Sequence, residues 1–179
     1  MDKKFFETTL NDFKDQIWGC ARCNWCQNHW GWNVKSAEYS EVCPAFGEYR
    51  FFAYSGMGKM HIARALLEGD FDYEDAPELA EIAYRCTTCG ACEMNCQRLQ
   101  DKEPLKVTEC LRAKLVEDGI GPMPAHQGLI KSIKQYDNPW MQPRTKKQAW
   151  AKGLELKDAS KEQIETLYFT GCTAALDLS

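Results

Sequence analysis

The chain has 179 residues, a formal charge of −4 and a mean hydropathy of −0.52, which fits one domain or one domain with an appendage. The acidic balance argues against nucleic acid as a partner, and no apolar run approaches the roughly 20 residues that a membrane-spanning helix needs. Met1-Asp-Lys-Lys is followed by no apolar leader segment, so a cytoplasmic location is expected, with any membrane association made through a partner.

Residues 2–18 predict an amphipathic helix, because Phe6, Leu10, Phe13 and Ile17 recur at three- to four-residue spacing. It leads into Cys20-x2-Cys23-x2-Cys26, and sixteen residues (27–42) then separate Cys26 from Cys43-Pro44. Residues 27–56 read as an aromatic loop. Its rings Trp30, Trp32 and Tyr39 are expected to fold over the first cysteine run as a lid. Gly56-Met-Gly58 opens a helix through Leu67, with Met60, Ala63, Leu66 and Leu67 inward and Gly69 as its stop. Asp75 and Pro77 start another, whose stripe of Leu79, Ile82 and Ala83 runs into Cys86-x2-Cys89-x2-Cys92-x3-Cys96.

Pro104 marks the first turn of a helix ending near Gly119, with Leu105, Cys110, Leu111 and Leu115 along it. Pro122 and Pro124 precede a shorter helix containing Leu129, Ile130 and Ile133. From Tyr136 the pattern changes. Asp137-Asn-Pro-Trp-Met-Gln-Pro-Arg144 has two prolines and no helical period, and a basic stretch follows (Arg144, Lys146, Lys147, Lys152). The segment reads as an extended strap. Residues 165–172 read as a buried strand ending in a tight turn. A lone strand leaves its ladder unpaired, so its sheet is expected from another chain or from sequence beyond this one. The fold class is therefore mainly α, with domains at 1–135 (helical), 136–164 (strap) and 165–179 (first strand of an incomplete domain).

Chemistry enters through cysteine. Eight of the ten fall into two sets of four. A C-x2-C-x2-C run lets successive thiolates face one corner of an iron–sulfur cube, and in two-cluster ferredoxins the fourth cysteine of each run ligates the other cluster. On that pattern Cys20, Cys23, Cys26 and Cys96 hold one [4Fe-4S] cluster, and Cys86, Cys89, Cys92 and Cys43 hold the other. Structural zinc asks for two C-x2-C pairs rather than two triplets, and disulfides ask for a secreted context; both fit less well. Roughly forty residues between the sets exceed the spacing of small βαβ ferredoxins, and helices alternating with cysteine runs fit an α-helical ferredoxin. His29 lies in the long gap as an alternative iron ligand. Cys110 falls on an apolar helix stripe and reads as a free buried thiol. Arg22, Arg50, Arg85 and Arg98 flank the runs and read first as surface salt-bridge partners, although a cation beside a cube would stabilise its reduced state.

Four stretches together resemble the family of the heterodisulfide reductase D subunit and the glycolate oxidase iron–sulfur subunit. They are the paired cysteine runs, Gly56-Met-Gly-Lys-Met-His-Ile-Ala-Arg-Ala-Leu-Leu-Glu-Gly69, Tyr84-Arg-Cys-Thr-Thr-Cys-Gly-Ala-Cys92, and Asn138-Pro-Trp with Tyr168-Phe-Thr-Gly-Cys172. In that family a two-cluster α-helical ferredoxin domain precedes cysteine-rich CCG domains. The resemblance implies that Cys172 is the first ligand of such a domain and that this chain is its amino-terminal part. The sequence departs from the family at the long gap before Cys43 and at Gln97, where a proline is usual.

The expected function is that of an electron-transfer subunit, relaying single electrons between a flavoprotein, or other iron–sulfur subunits, and a second redox site. The alternative is the amino-terminal part of a catalytic heterodisulfide-reductase-like subunit. The sequence shows no acid–base or nucleophile constellation that would convert a substrate here.

Overall fold

The computed structural model describes residues 7–29, 34–36, 38–70, 72–97 and 100–176. Trp30, Trp32 and Arg98, and the first turn of the helix expected at 2–18, lie outside them. The chain divides into two compact units, Met1–Met123 and Pro124–Ser179. Among the described residues the structure is helical and contains no strand.

The first unit is built on two long helices, α3 (Gly56–Glu68) and α6 (Pro104–Glu117), packed on each other. Helix α3 starts at Ser55, whose hydroxyl accepts from the Gly58 N–H, and stops at Gly69 with a left-handed φ of 71°. Helix α6 starts with Pro104 in its first turn, where the missing N–H costs nothing. Between them lies the core: Met60 and Ala63 from α3, Val107, Cys110, Leu111 and Leu115 from α6, and Leu79 and Ala83 from α4 (Leu79–Tyr84).

Leu10, Phe13 and Ile17 complete this core. They come from a 3₁₀ turn (Leu10–Phe13) running into α1 (Lys14–Trp18). The Asp12 carboxylate accepts from the Thr9 N–H at 2.8 Å and the Thr9 hydroxyl at 3.0 Å. That cap starts the 3₁₀ turn at Leu10. Two further short helices occupy segments that sequence periodicity leaves as loop. Helix α2 (Pro44–Tyr49) starts on the proline after Cys43, and α5 (Ala91–Gln97) carries Cys92 and Cys96. Residues 27–56 are thus partly helical, with a 3₁₀ turn at Phe52–Tyr54 as well.

In the second unit, α7 (Gln127–Tyr136) leads into a turn built on Asn138. Asn138 is 1% exposed; its amide donates to the Tyr136 and Gln142 carbonyls at 2.8 Å, and its Oδ1 accepts from the Trp140 N–H. The extended strap is corrected at this point. That network curls residues 138–142 into a turn, and Arg144–Ala151 winds into a 3₁₀ helix. The basic side chains are engaged locally: Arg144 with Asp137, Lys146 with the Gln142 side chain, Lys147 with the Asp137 carbonyl. The strand expected over 165–172 is not formed either. Residues 166–170 have no regular structure, Leu167, Tyr168 and Phe169 stand 68, 74 and 85% exposed, and α8 begins at Gly171 (Gly171–Leu176). With no second strand to pair, the ladder groups have nothing to gain from extension.

Candidate metal centre

The two cysteine runs share one backbone signature. Cys23 is flanked by Arg22 and Asn24 at φ 55° and 64°; Cys89 is flanked by Thr88 and Gly90 at φ 53° and 77°. Left-handed residues placed on both sides of the central cysteine curl each run into a concavity lined by its thiols. Three of the four positions lack glycine, so the conformation carries strain of order 1 kcal/mol per residue.

Each run opens on its own cavity, and each cavity receives a fourth thiol from the other half of the chain. Cys20, Cys23, Cys26 and Cys96 line one space; Cys43, Cys86, Cys89 and Cys92 line the other. The spaces measure about 390 and 370 Å³, open mouths included. Among the described residues no three His, Cys, Asp or Glu side chains converge as the ligands of a single ion do.

Two local devices produce the exchange. On α5, Cys92 and Cys96 are four residues apart, about 6 Å along the axis, so one helical turn carries the chain from one cavity to the other. Cys43 is delivered by a pinched loop. Asn28 and Glu41 form an antiparallel bridge, the His29 N–H donates to the Ser40 carbonyl at 2.7 Å, and the Val42 N–H donates to the Gln27 carbonyl at 2.7 Å. Gln27 is itself buried and donates to the Ser55 hydroxyl. This neck returns the chain beside Cys26, so the long gap does not remove Cys43 from the site. His29 serves the neck through its backbone and lines neither cavity. The Tyr39 ring is 71% exposed, which corrects its expected place in a lid.

The cavities stand back to back across the start of α3. A methyl group on Gly56 would lie 2.9 Å from Cys92 Cβ and 3.1 Å from Cys26 Cβ, so glycine there is what lets the two sites approach. The next residue contributes directly: the Met57 N–H donates to Cys26 Sγ at 3.1 Å. Burial pushes the Cys26 thiol up to about 12, against the pull of that N–H, and pushes Cys92 up to about 12, with Cys86 adding to it. Burial also raises Cys96. Without metal these thiols stay protonated at neutral pH, so loading the site with iron displaces protons.

Sequence reasoning missed two residues here. Arg112 on α6 donates to the Ala83, Tyr84 and Cys86 carbonyls, tying the end of α4 to the start of the second run. Lys59 on α3 is 1% exposed and lines the Cys43/Cys86/Cys89/Cys92 cavity. Its signal was legible: position 59 shares the helix face of Gly56, Met60 and Ala63, where a lysine is out of place. The flanking arginines take the surface-pairing role: Arg50 pairs with Glu41, Arg85 with Glu81, and Arg22 donates to the His61 ring. Cys110 lies in the apolar core, its thiol 3.8 Å from the Thr8 carbonyl. Cys172 belongs to the second unit, half-buried in the first turn of α8, with its Sγ 3.8 Å from the Asp137 carbonyl.

Residues 16–99 match the family model described as a 4Fe-4S dicluster domain. This chain contains a 4Fe-4S dicluster domain. The match covers both cysteine runs and Cys43, and the domain takes two [4Fe-4S] clusters, an assignment the two four-thiol cavities fit. Beyond it, the chain is similar to the D subunit of the dihydromethanophenazine:CoB–CoM heterodisulfide reductase of three archaea. Identity is 32% over 158 residues for Methanosarcina acetivorans, 30% over 157 for Methanosarcina barkeri and 28% over 158 for Methanosarcina mazei. Each alignment takes in 87% of this chain and 37% of the relative, so the chain spans just over a third of the length of these curated relatives. No solved structure matches the chain significantly. No helix among the described residues is long and apolar enough to cross a membrane.

Proposed function

We propose that the dicluster domain relays single electrons between a flavin-bearing partner, or another iron–sulfur subunit, and a second redox site. Its ligand sets are Cys20, Cys23, Cys26 and Cys96 for one cluster and Cys43, Cys86, Cys89 and Cys92 for the other. One observation carries the reading: two four-thiol cavities stand back to back across Gly56, joined by a single helical turn of α5. Ligands on a shared helix give a short bonded path between the clusters, the arrangement a relay needs. The chain's own residues hold and shield the clusters; the clusters supply the one-electron chemistry when bound.

The domain assignment follows the same reading. Residues 1–135 are read as the dicluster domain, its compact part being Met1–Met123 with α7 following in the chain, 136–164 as a connecting segment, and 165–179 as the opening of a further domain. There, residues 165–172 pair as a strand once a sheet is available and Cys172 serves as a cluster ligand. A second reading, that the chain is the front of a catalytic subunit reducing a disulfide-like substrate, draws on the 37% coverage of relatives named heterodisulfide reductase. In that case the substrate site lies in residues outside this sequence, and the relay feeds it.

Anaerobic reconstitution with iron and sulfide tests the proposal. The expected product is brown, carries about eight iron atoms, and is reduced in one-electron steps. Cys96→Ser is expected to perturb the magnetic resonance signal of one cluster and Cys43→Ser that of the other. If both substitutions disturb the same cluster, the crossed ligand sets are wrong. A colourless protein carrying zinc would sink the relay altogether.

A further inference from the structure

We propose that Lys59 is the built-in counter-charge of the cluster held by Cys43, Cys86, Cys89 and Cys92, and sets that cluster's reduction potential above the value it would otherwise have. The inference rests on the ligand sets proposed above. A lysine is among the residues least tolerant of full burial, and an ammonium taken out of water needs an opposing charge. Lys59 is 1% exposed, and the structure gives its Nζ two neutral partners: the Tyr54 carbonyl at 2.5 Å and the Ser55 carbonyl at 3.4 Å. Among the described residues no carboxylate pairs with it.

The missing negative charge lies in the cavity that Lys59 lines. Cys43 Sγ sits 3.7 Å from the same Tyr54 carbonyl, so ammonium and thiol converge on one oxygen. Burial by itself lowers the Lys59 pKa, and the sulfurs of Cys86, Cys43 and Cys92 on the same cavity oppose that shift once they are thiolates on a cluster. The other nearby cation, Arg112, is committed to the carbonyls of Ala83, Tyr84 and Cys86. A cube with four thiolates carries about −2 when oxidised and about −3 when reduced. A fixed positive charge at its wall favours the reduced form, and low local polarity strengthens the effect. The Cys20/Cys23/Cys26/Cys96 cavity is lined by Trp25, Met57, Met60 and Pro104 together with Asn24, Gln100 and Lys102, and its lysine, unlike Lys59, is only partly buried.

Anaerobic redox titration of the reconstituted chain, followed by electron paramagnetic resonance, tests the assignment. Each signal is identified beforehand through Cys89→Ser and Cys23→Ser. If the unsubstituted chain holds no pair of clusters, the relay reading itself fails, and that result is distinct from any effect of replacing Lys59. Given two clusters, Lys59→Met is expected to lower the reduced-to-oxidised ratio of the Cys89 cluster at least tenfold at fixed poise, ~59 mV for one electron, and to leave the other cluster unchanged. Lys59→Gln, which keeps a donor for the Tyr54 carbonyl, lowers it likewise; Lys59→Arg, which keeps the charge, holds it near the original value. Loss of that cluster in both neutral variants but not in Lys59→Arg also supports the charge requirement. Unchanged potentials, equal shifts in both clusters, or loss of the cluster in all three variants would overturn it.

Discussion

The glycines that open α3 carry different steric loads. A methyl on Gly58 would lie 2.1 Å from the Phe52 carbonyl oxygen and 2.5 Å from Ala53 Cα, where only backbone can yield. At Gly56 it would meet two cysteine Cβ atoms at 2.9 and 3.1 Å. Gly56→Ala is therefore expected to cost the ~1–3 kcal/mol of ordinary overpacking and to lower iron occupancy in both cavities. Gly58→Ala is expected to cost more. Chemical denaturation with iron analysis orders the two, and Gly58→Ala melting with the unsubstituted chain would refute the steric account. Thr88 makes the opposite case. Its φ of 53° strains a β-branched residue, so Thr88→Gly should stabilise the metal-free chain by roughly 0.5–1 kcal/mol after the entropic cost of glycine. An unchanged or lowered midpoint would show that the loop relaxes when empty.

At the scale of elements, the neck of the long loop is what brings Cys43 to its cavity. Val42→Pro removes the donor to the Gln27 carbonyl. It is expected to cost the Cys43 cluster its iron while the Cys96 cluster persists; equal loss from both would mean the neck has no selective role. How far such elements were legible in the sequence follows from their length and from the range of their contacts. Helices α3 and α6 announce themselves through periodicity plus a terminal glycine or proline, because they are long enough to show a buried stripe. Helices α2 and α5, of six and seven residues, show none. Their signals were Pro44 at a first helical position and the C-x3-C spacing, which is one turn of helix. The strap was misread because Asn138 acts through hydrogen bonds to Tyr136 and Gln142 that composition does not reveal. Asn138→Ala leaves two carbonyls and the Trp140 N–H without partners, about 1–3 kcal/mol for each group that stays buried. Limited proteolysis should then cut first near residues 138–143; an unaltered digestion pattern would argue against the turn.

Taken as a whole, the molecule pairs a well-packed dicluster unit with a second unit that shows solvent a run of apolar residues, Leu167, Tyr168 and Phe169. Amides 166–170 are expected to exchange rapidly in this chain and to become protected when a sheet is supplied by a longer chain or a partner. Fast exchange in both settings would mean that no strand forms there. The first unit has a more unusual property. Its two halves each own three ligands of one proposed cluster and one ligand of the other, so neither half can complete a cluster by itself. Cut between Gly69 and Asp70, where α3 has ended, the chain becomes a split protein whose fragments should complement each other. Each expressed alone should stay colourless, and the two expressed together should recover both clusters. Cofactor assembly would then report fragment association by colour.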